Sequence, residues 1–418
     1  MTKVAAVPIE SISVDALPSS SGRSRAGAVG AVAVFAVIML GGALPIPLYT
    51  VWAPLLRFGP LTTTVIFVAY VVGVVASLVL LGPVSDRSGR RPVLGIAIGV
   101  AALSTVLFAV ATDVPLLLAG RLLSGVATGI ATSTATAAIG ELLVSKRLAS
   151  AVSTASNLGG IGLGTIIGGV FGQSVPDPTR SVFWVYLIAL GLVAVVLWRV
   201  PETVTRRAPV SFSPRRPVLA AGVGRRSFIG AALIVAAAFG VNGFFSSLAP
   251  TFLRDQLHVH NLTLSGLAVG LLFAAALAAQ LLAPAAVLRS PVPGAAVLLG
   301  GVIVLLAGLR SASLAAFLAA TIIAGAGVGL TFRRGLVVTD RFADPDHRAD
   351  LGATYFLIAY LGLIAPTLTL GALDQVAGQT VSTLILAAIV SATAITGLVL
   401  TGVRPVPTPT TEEQGAAR

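Results

Sequence analysis

The chain has 418 residues, of which 56% are hydrophobic and only 10% charged, and its mean hydropathy is +0.99. A soluble protein spends roughly a quarter of its residues on charge, so this composition excludes a soluble protein and points to an all-α membrane protein. The absence of cysteine also excludes disulfides and thiol chemistry.

Charged residues punctuate the sequence, and the gaps between them define the predicted spans. The charge-free runs are 26–56, 58–85, 92–112, 148–176, 181–198, 227–253, 256–288, 290–309, 311–332, 351–373 and 375–403. A further run, 114–140, is broken once, by Arg121. That gives twelve segments near the ~20 residues a transmembrane helix needs. Helices are expected rather than barrel strands, because the runs are continuously apolar and do not alternate. A cleaved export signal at 26–56 fits poorly, since the run exceeds the ~7–15 residues of a signal core.

With twelve spans both termini share one side. That side carries 22 of the 27 Lys and Arg residues, whereas the other has only Arg57, Arg180, Arg254 and Arg310. This asymmetry predicts cytoplasmic termini in a plasma-membrane protein. It also accounts for the net charge of +12 without nucleic acid, with membrane lipid as the expected polyanion.

The basic stretch 201–226 lies between spans six and seven. The expected organisation is a cytoplasmic tail (1–25), a six-helix bundle (26–200), a basic linker (201–226), a second six-helix bundle (227–403) and a second tail (404–418). The halves resemble each other weakly at a shift of about two hundred residues. Pro83 and Pro92 then fall on Pro284 and Pro293, while Gly125 and Gly129 fall on Gly325 and Gly329. Such repeats underlie bundles that rock about a midplane site.

Between spans two and three stands Gly82-Pro-Val-Ser-Asp86-Arg87-Ser-Gly89-Arg90-Arg91-Pro92, a polar knot in a chain almost free of charge. A plain basic loop would need neither Asp86 nor the glycines. The pattern resembles the loop that joins helices two and three in major facilitator superfamily transporters. The resemblance implies twelve helices in two pseudo-symmetric six-helix bundles, and a latch role for Gly82, Asp86, Arg87, Gly89 and Arg90. Asp86 is expected to meet a helix N-terminus, where an anion is favoured. Glu141, at the cytoplasmic end of span four, is the expected acidic partner for one of the arginines.

Arg121 sits inside span four, where a charge is costly and by default functional; snorkelling to the outer surface is the alternative. An arginine followed four residues later by Gly125 resembles the superfamily's fourth-span pattern, implying proton coupling or substrate contact. In span five, Gly160, Gly164, Thr165, Gly168 and Gly169 resemble the motif of the drug/proton antiporter branch, although Thr165 stands where that branch has proline. Close helix packing is the competing reading. Candidate cavity residues are Tyr49, Tyr70, Asn157, Asn242, Gln280 and Tyr360, the amides because they need partners in hydrocarbon. Trp52, Trp184 and Trp198 read as interfacial anchors.

The function expected is a monomeric secondary transporter of a small molecule, exporting amphipathic or drug-like compounds in exchange for protons. An importer or uniporter of sugars or organic acids is the alternative, favoured by Thr165 and by the lack of a carboxylate deep in any span. A membrane enzyme or sensor fits less well, because His, Asp, Glu and Ser are not clustered at ligand spacing. No cofactor and no metal are expected.

Overall fold

Inside a bilayer the backbone has no water to pair with, so each apolar run satisfies its own amides as a helix. The computed structural model describes residues 22–81, 84–204, 224–342 and 348–401. Gly82, most of the basic linker, most of the N-terminal tail and the C-terminal tail lie outside the described residues.

Span one is α1 (Gly22–Ala43) followed by α2 (Pro45–Leu55), separated at Leu44. Proline at the first positions of α2 removes backbone donors that would otherwise continue α1. After it come α3 (Pro60–Leu81), the short α4 (Val84–Ser88), α5 (Arg90–Ala109) and α6 (Val114–Leu142). Asp113 starts α6 by accepting from the Leu116 amide at 2.9 Å, an N-cap. Span five consists of α7 (Lys146–Thr154), one π-helical turn (Ala155–Gly159) and α8 (Gly160–Ser174), with α9 (Pro178–Leu197) as span six.

The second half runs α10 (Gly224–Ser247), α11 (Ala249–Asp255), α12 (Leu262–Leu282), α13 (Val292–Ser311), α14 (Leu314–Phe342) and α15 (Arg348–Thr401). At 1.5 Å per residue α15 would be about 80 Å long, more than twice a bilayer core. Gly378, with φ 79° and ψ 163°, breaks it into two spans. With α15 counted as two, the described residues hold twelve helical spans long and apolar enough to cross a bilayer, and no strand occurs among them.

One large buried core is drawn only from the first half, from Ala28 to Val200, and two others only from the second half. The repeat appears in the packing. A Cβ at Gly125 or Gly129 of α6 would strike the carbonyls of Tyr70 or Val74 in α3. In α14, Gly325 and Gly329 stand in the same way against the carbonyls of Leu272 and Ala276 in α12.

Between the bundles, α3 packs on α15 and α8 on α12. Small mixed clusters seal these seams: Ala43 and Ile46 with Val269 and Phe273, and Phe67 and Val71 with Leu363. At the face opposite the 84–91 loop the bundles are also tied by hydrogen bonds. The Leu262 amide donates to Gln173 Oε1 at 2.9 Å, and Arg254 Nη1 to the Thr50 carbonyl at 3.3 Å.

Candidate functional site

The polar knot folds into a network around Arg90. Gly89 takes a positive φ of 102°, and a Cβ there would meet the Glu202 carboxylate; both constraints select glycine. Arg90 Nη1 donates to Asp86 at 2.5 Å and to Ser85 at 2.7 Å, and Nη2 donates to Glu141 Oε1 at 2.8 Å. Glu202 accepts from the backbone amides of Arg90 and Arg91 at 2.8 and 3.2 Å, and from those of Thr203 and Val204. The anion at the N-terminus of α5 is thus Glu202. Asp86 lies in the first turn of the short α4, where it pairs with Arg90 and keeps its side chain 57% exposed. Arg87 is half-buried at the end of α4. Arg91 rests over the Trp198 ring at 5.3 Å.

Arg121 is fully buried, which rules out snorkelling. Its Nη1 donates to the Gly42 carbonyl at 2.6 Å, its Nε donates to the Tyr49 hydroxyl, and Nη2 is buried with no partner. The rings of Tyr49, Tyr70 and Phe108 surround the guanidinium at 5.0, 5.5 and 5.9 Å, distances at which cation–π attraction operates. Tyr49 is therefore not a cavity residue: it is 2% exposed and serves Arg121. Trp52 is also corrected. It is no interfacial anchor but a buried ring packed on Phe108 and Phe183, which also stack on each other. Trp184 and Trp198, by contrast, are exposed.

In span five the glycines form two stripes with different partners. Gly160, Gly164 and Gly168 lie against the carbonyls of Ala36, Leu40 and Leu44 on span one, all within the first bundle. Thr165 and Gly169 lie on the other stripe, against Gly266 of α12, across the seam between bundles. Small residues permit both approaches.

Between the bundles lies a cavity of about 850 Å³, near the top of the range for small-molecule sites. It extends from Gly42 and Leu363 near midspan to Asp86, Arg90 and Lys146 at the face that carries the knot. Tyr70, Asn157, Asn242, Gln280 and Tyr360 all line it. Asn157 sits on the π-helical turn, a distortion that often marks functional sites. A strip of hydroxyls on α6 and α7 also lines the cavity, including Thr128, Thr132, Thr136 and Ser153. Sequence reasoning missed this strip, although its i, i+4 spacing was a usable signal.

Twelve helical spans in two bundles about a central cavity large enough for a small molecule form the architecture of a membrane transporter. The chain belongs to the Major Facilitator Superfamily, which it matches over residues 27–367. Among solved structures it resembles a bacterial homologue of the human lysosomal transporter Spinster, in an inward-facing and unoccupied conformation. That likeness has a TM-score of 0.72 at 14% identity, over 91% of this chain and 97% of the other. It also resembles the human organic anion transporter TETRAN, with a TM-score of 0.63 at 17% identity, over 90% and 99% of the two chains. At such identities the likeness is one of fold. Over a shorter stretch the chain is 37% identical to a triacylglyceride transporter of Mycobacteroides abscessus, across 141 residues that make up 32% of this chain and 26% of that protein. A triacylglyceride transporter of Mycolicibacterium hassiacum is 34% identical over 141 residues, 32% and 25% of the two chains. The match thus spans about a quarter of the length of these relatives.

Proposed function

We infer that this chain is a plasma-membrane exporter of small amphipathic molecules that works by alternating access. The observation that carries the reading is the cavity, which extends to the knot-bearing face while hydrogen bonds and glycine packing close the opposite face. The excess of Lys and Arg on the knot side orients that face, and both termini, to the cytoplasm. In this state the cavity exchanges with the inside of the cell, as the loading state of an exporter must. Its lining combines aromatic and aliphatic groups with hydroxyls and amides, which suits an amphipathic cargo better than a sugar or a small organic acid. The short matches to triacylglyceride transporters support a lipid-like cargo.

Knot residues Gly89, Asp86, Arg87 and Arg90, with Glu141 as counter-ion, are assigned to control of the cycle at the inner face. Arg121 holds spans one, two and four together behind Tyr70. The deeper lining, from Asn157 to Gln280, contains no carboxylate, so proton exchange would act through the acids at the mouth, Asp86 and Glu141. Uptake of a fluorescent amphiphile into inverted vesicles, or its efflux from right-side-out proteoliposomes, tests the reading. Gradient-dependent movement supports it, no movement above that of empty liposomes refutes it, and movement insensitive to an uncoupler removes the proton step alone.

A further inference from the structure

Polarity is divided unevenly around the central cavity. On α6, Thr128, Thr132 and Thr136 recur at i, i+4, with Ser133 beside them, so they share one face over about 12 Å of helix axis. On α7, Ser150 and Ser153 extend the strip towards Asn157. The facing wall is different in kind. There α14 contributes Val328, Phe332 and Leu336, and the start of α15 contributes Ala353, Phe356 and Leu357.

The hydrogen-bond state of the strip narrows what it can hold. Thr132 donates to the Thr128 carbonyl at 2.7 Å and Ser133 to the Gly129 carbonyl at 3.2 Å. Their protons are committed to the helix, and their lone pairs are left as acceptors. Ser153 Oγ is buried with no partner, a group that gains by meeting one. The charged side chains of the lining, Asp86, Arg90 and Lys146, all lie at the mouth. Arg90 is engaged by Asp86 and Glu141, and Lys146 donates to the Gly140 carbonyl at 2.9 Å. Arg121 is screened behind Gly42, Tyr49 and Tyr70. Beyond the mouth, beside Thr128, Thr132 and Thr136, a charged head group would find no counter-ion among the lining residues, and desolvating it there would be costly.

We propose that the cavity selects an uncharged amphiphile, with a hydroxyl- and ester-bearing head on the α6–α7 hydroxyl strip and a hydrocarbon tail against the Phe332–Phe356 wall. The inference rests on the transport reading above and adds to it the class of head group and the orientation of the cargo. Substrates of this class are partial glycerides and similar polyol esters.

The test uses the full chain in lipid nanodiscs with three probes that share a lauryl tail: monolaurin, lauryl phosphate and lauryl trimethylammonium. Displacement of a bound fluorescent amphiphile is the readout. Monolaurin is expected to bind more tightly than either charged probe by roughly tenfold, the worth of one or two hydrogen bonds. The Thr132→Val, Thr136→Val double variant, which keeps shape and removes hydroxyls, should erase that preference without changing the binding of the charged probes. Ser150→Ala with Ser153→Ala provides a second variant pair with the same expectation. Phe332→Leu should weaken all three probes alike. Equal binding of the charged probes, or a preference that survives both variant pairs, overturns the proposal. Selective monolaurin binding with no movement in proteoliposomes would keep this inference and sink the transport reading. Movement of lauryl phosphate in preference to monolaurin would do the reverse.

Discussion

Two glycine substitutions with the same local insult should have different consequences, because one lies within a bundle and the other between bundles. A Cβ at Gly266 would sit 3.1 Å from the Gly169 Cα and nearer still to the Thr165 carbonyl oxygen, against ordinary contact at 3.4–4 Å. The obstacle is backbone, so α8 and α12 must separate, and overpacking of this kind costs about 1–3 kcal/mol. That cost falls only on the state in which this end is closed. Gly266→Ala should therefore shift the ratio of the two access states by about 5- to 150-fold towards opening at this face. A Cβ at Gly164 meets the Leu40 carbonyl and lies 3.1 Å from Ala43 Cβ, inside a bundle that moves as a unit. Gly164→Ala should lower thermal stability in both states and leave their ratio unchanged. Because the chain has no cysteine, labels need no background removal. Spin-label pairs at Arg57 and His260 report the closed end, and pairs at Val144 and Leu282 the open end, all four positions being exposed. Unchanged distance distributions in Gly266→Ala, or the same shift in Gly164→Ala, would refute the argument.

Arg121→Ala should reduce transport far more than Arg310→Ala, since Arg310 is exposed and Arg121 is enclosed by three rings; equal losses in vesicle efflux would show that the ring cluster is dispensable. Asp86→Asn should slow turnover while leaving expression and folding intact, because the carboxylate is exposed and tied only to Arg90 among the ion pairs described; wild-type efflux would remove the knot from the cycle. Trp52→Ala should destabilise the first bundle by about 3–5 kcal/mol, since the ring is 2% exposed and stacked on two phenylalanines. Thermal inactivation in detergent measures this, and an unchanged midpoint would restore the interfacial reading.

The spans were legible because a bilayer imposes a length and a polarity on every crossing, and charge gaps record both. Even the pair merged in α15 separates at Asp374, four residues before Gly378 breaks the helix. The Arg90–Glu141 pairing was within reach, since acids are scarce in this chain. Glu202 was not, because its role depends on bringing the end of span six to the start of α5, 112 positions away in sequence. Tyr49 and Tyr70 look alike in sequence, and only packing encloses one against Arg121 and sets the other between Arg121 and the cavity. The hydroxyl strip was obscured for a physical reason: Thr and Ser at helical spacing also serve close helix packing, so the same letters fit two environments. The π-helical turn at Ala155–Gly159 carries no proline or charge to announce it.

The two ends of the molecule are governed by different physics, and this bears on how a cycle can run. At the closed end the bundles meet through backbone contact, with Thr165 and Gly169 against Gly266, and two hydrogen bonds at the rim. Such packing acts over fractions of an ångström and holds while the surfaces match. At the knot end every ion pair described joins groups of the first bundle, with Arg90 bound to Asp86 and Glu141, and Glu202 capping α5. The knot is thus internally satisfied while the cavity is open. Closing the same face need only redirect the exposed side of Asp86, and exchanging exposed ion pairs costs little. A short-range seal at one end and an exchangeable charge cluster at the other let the two states lie within a few kcal/mol of each other, as a transporter that visits both requires.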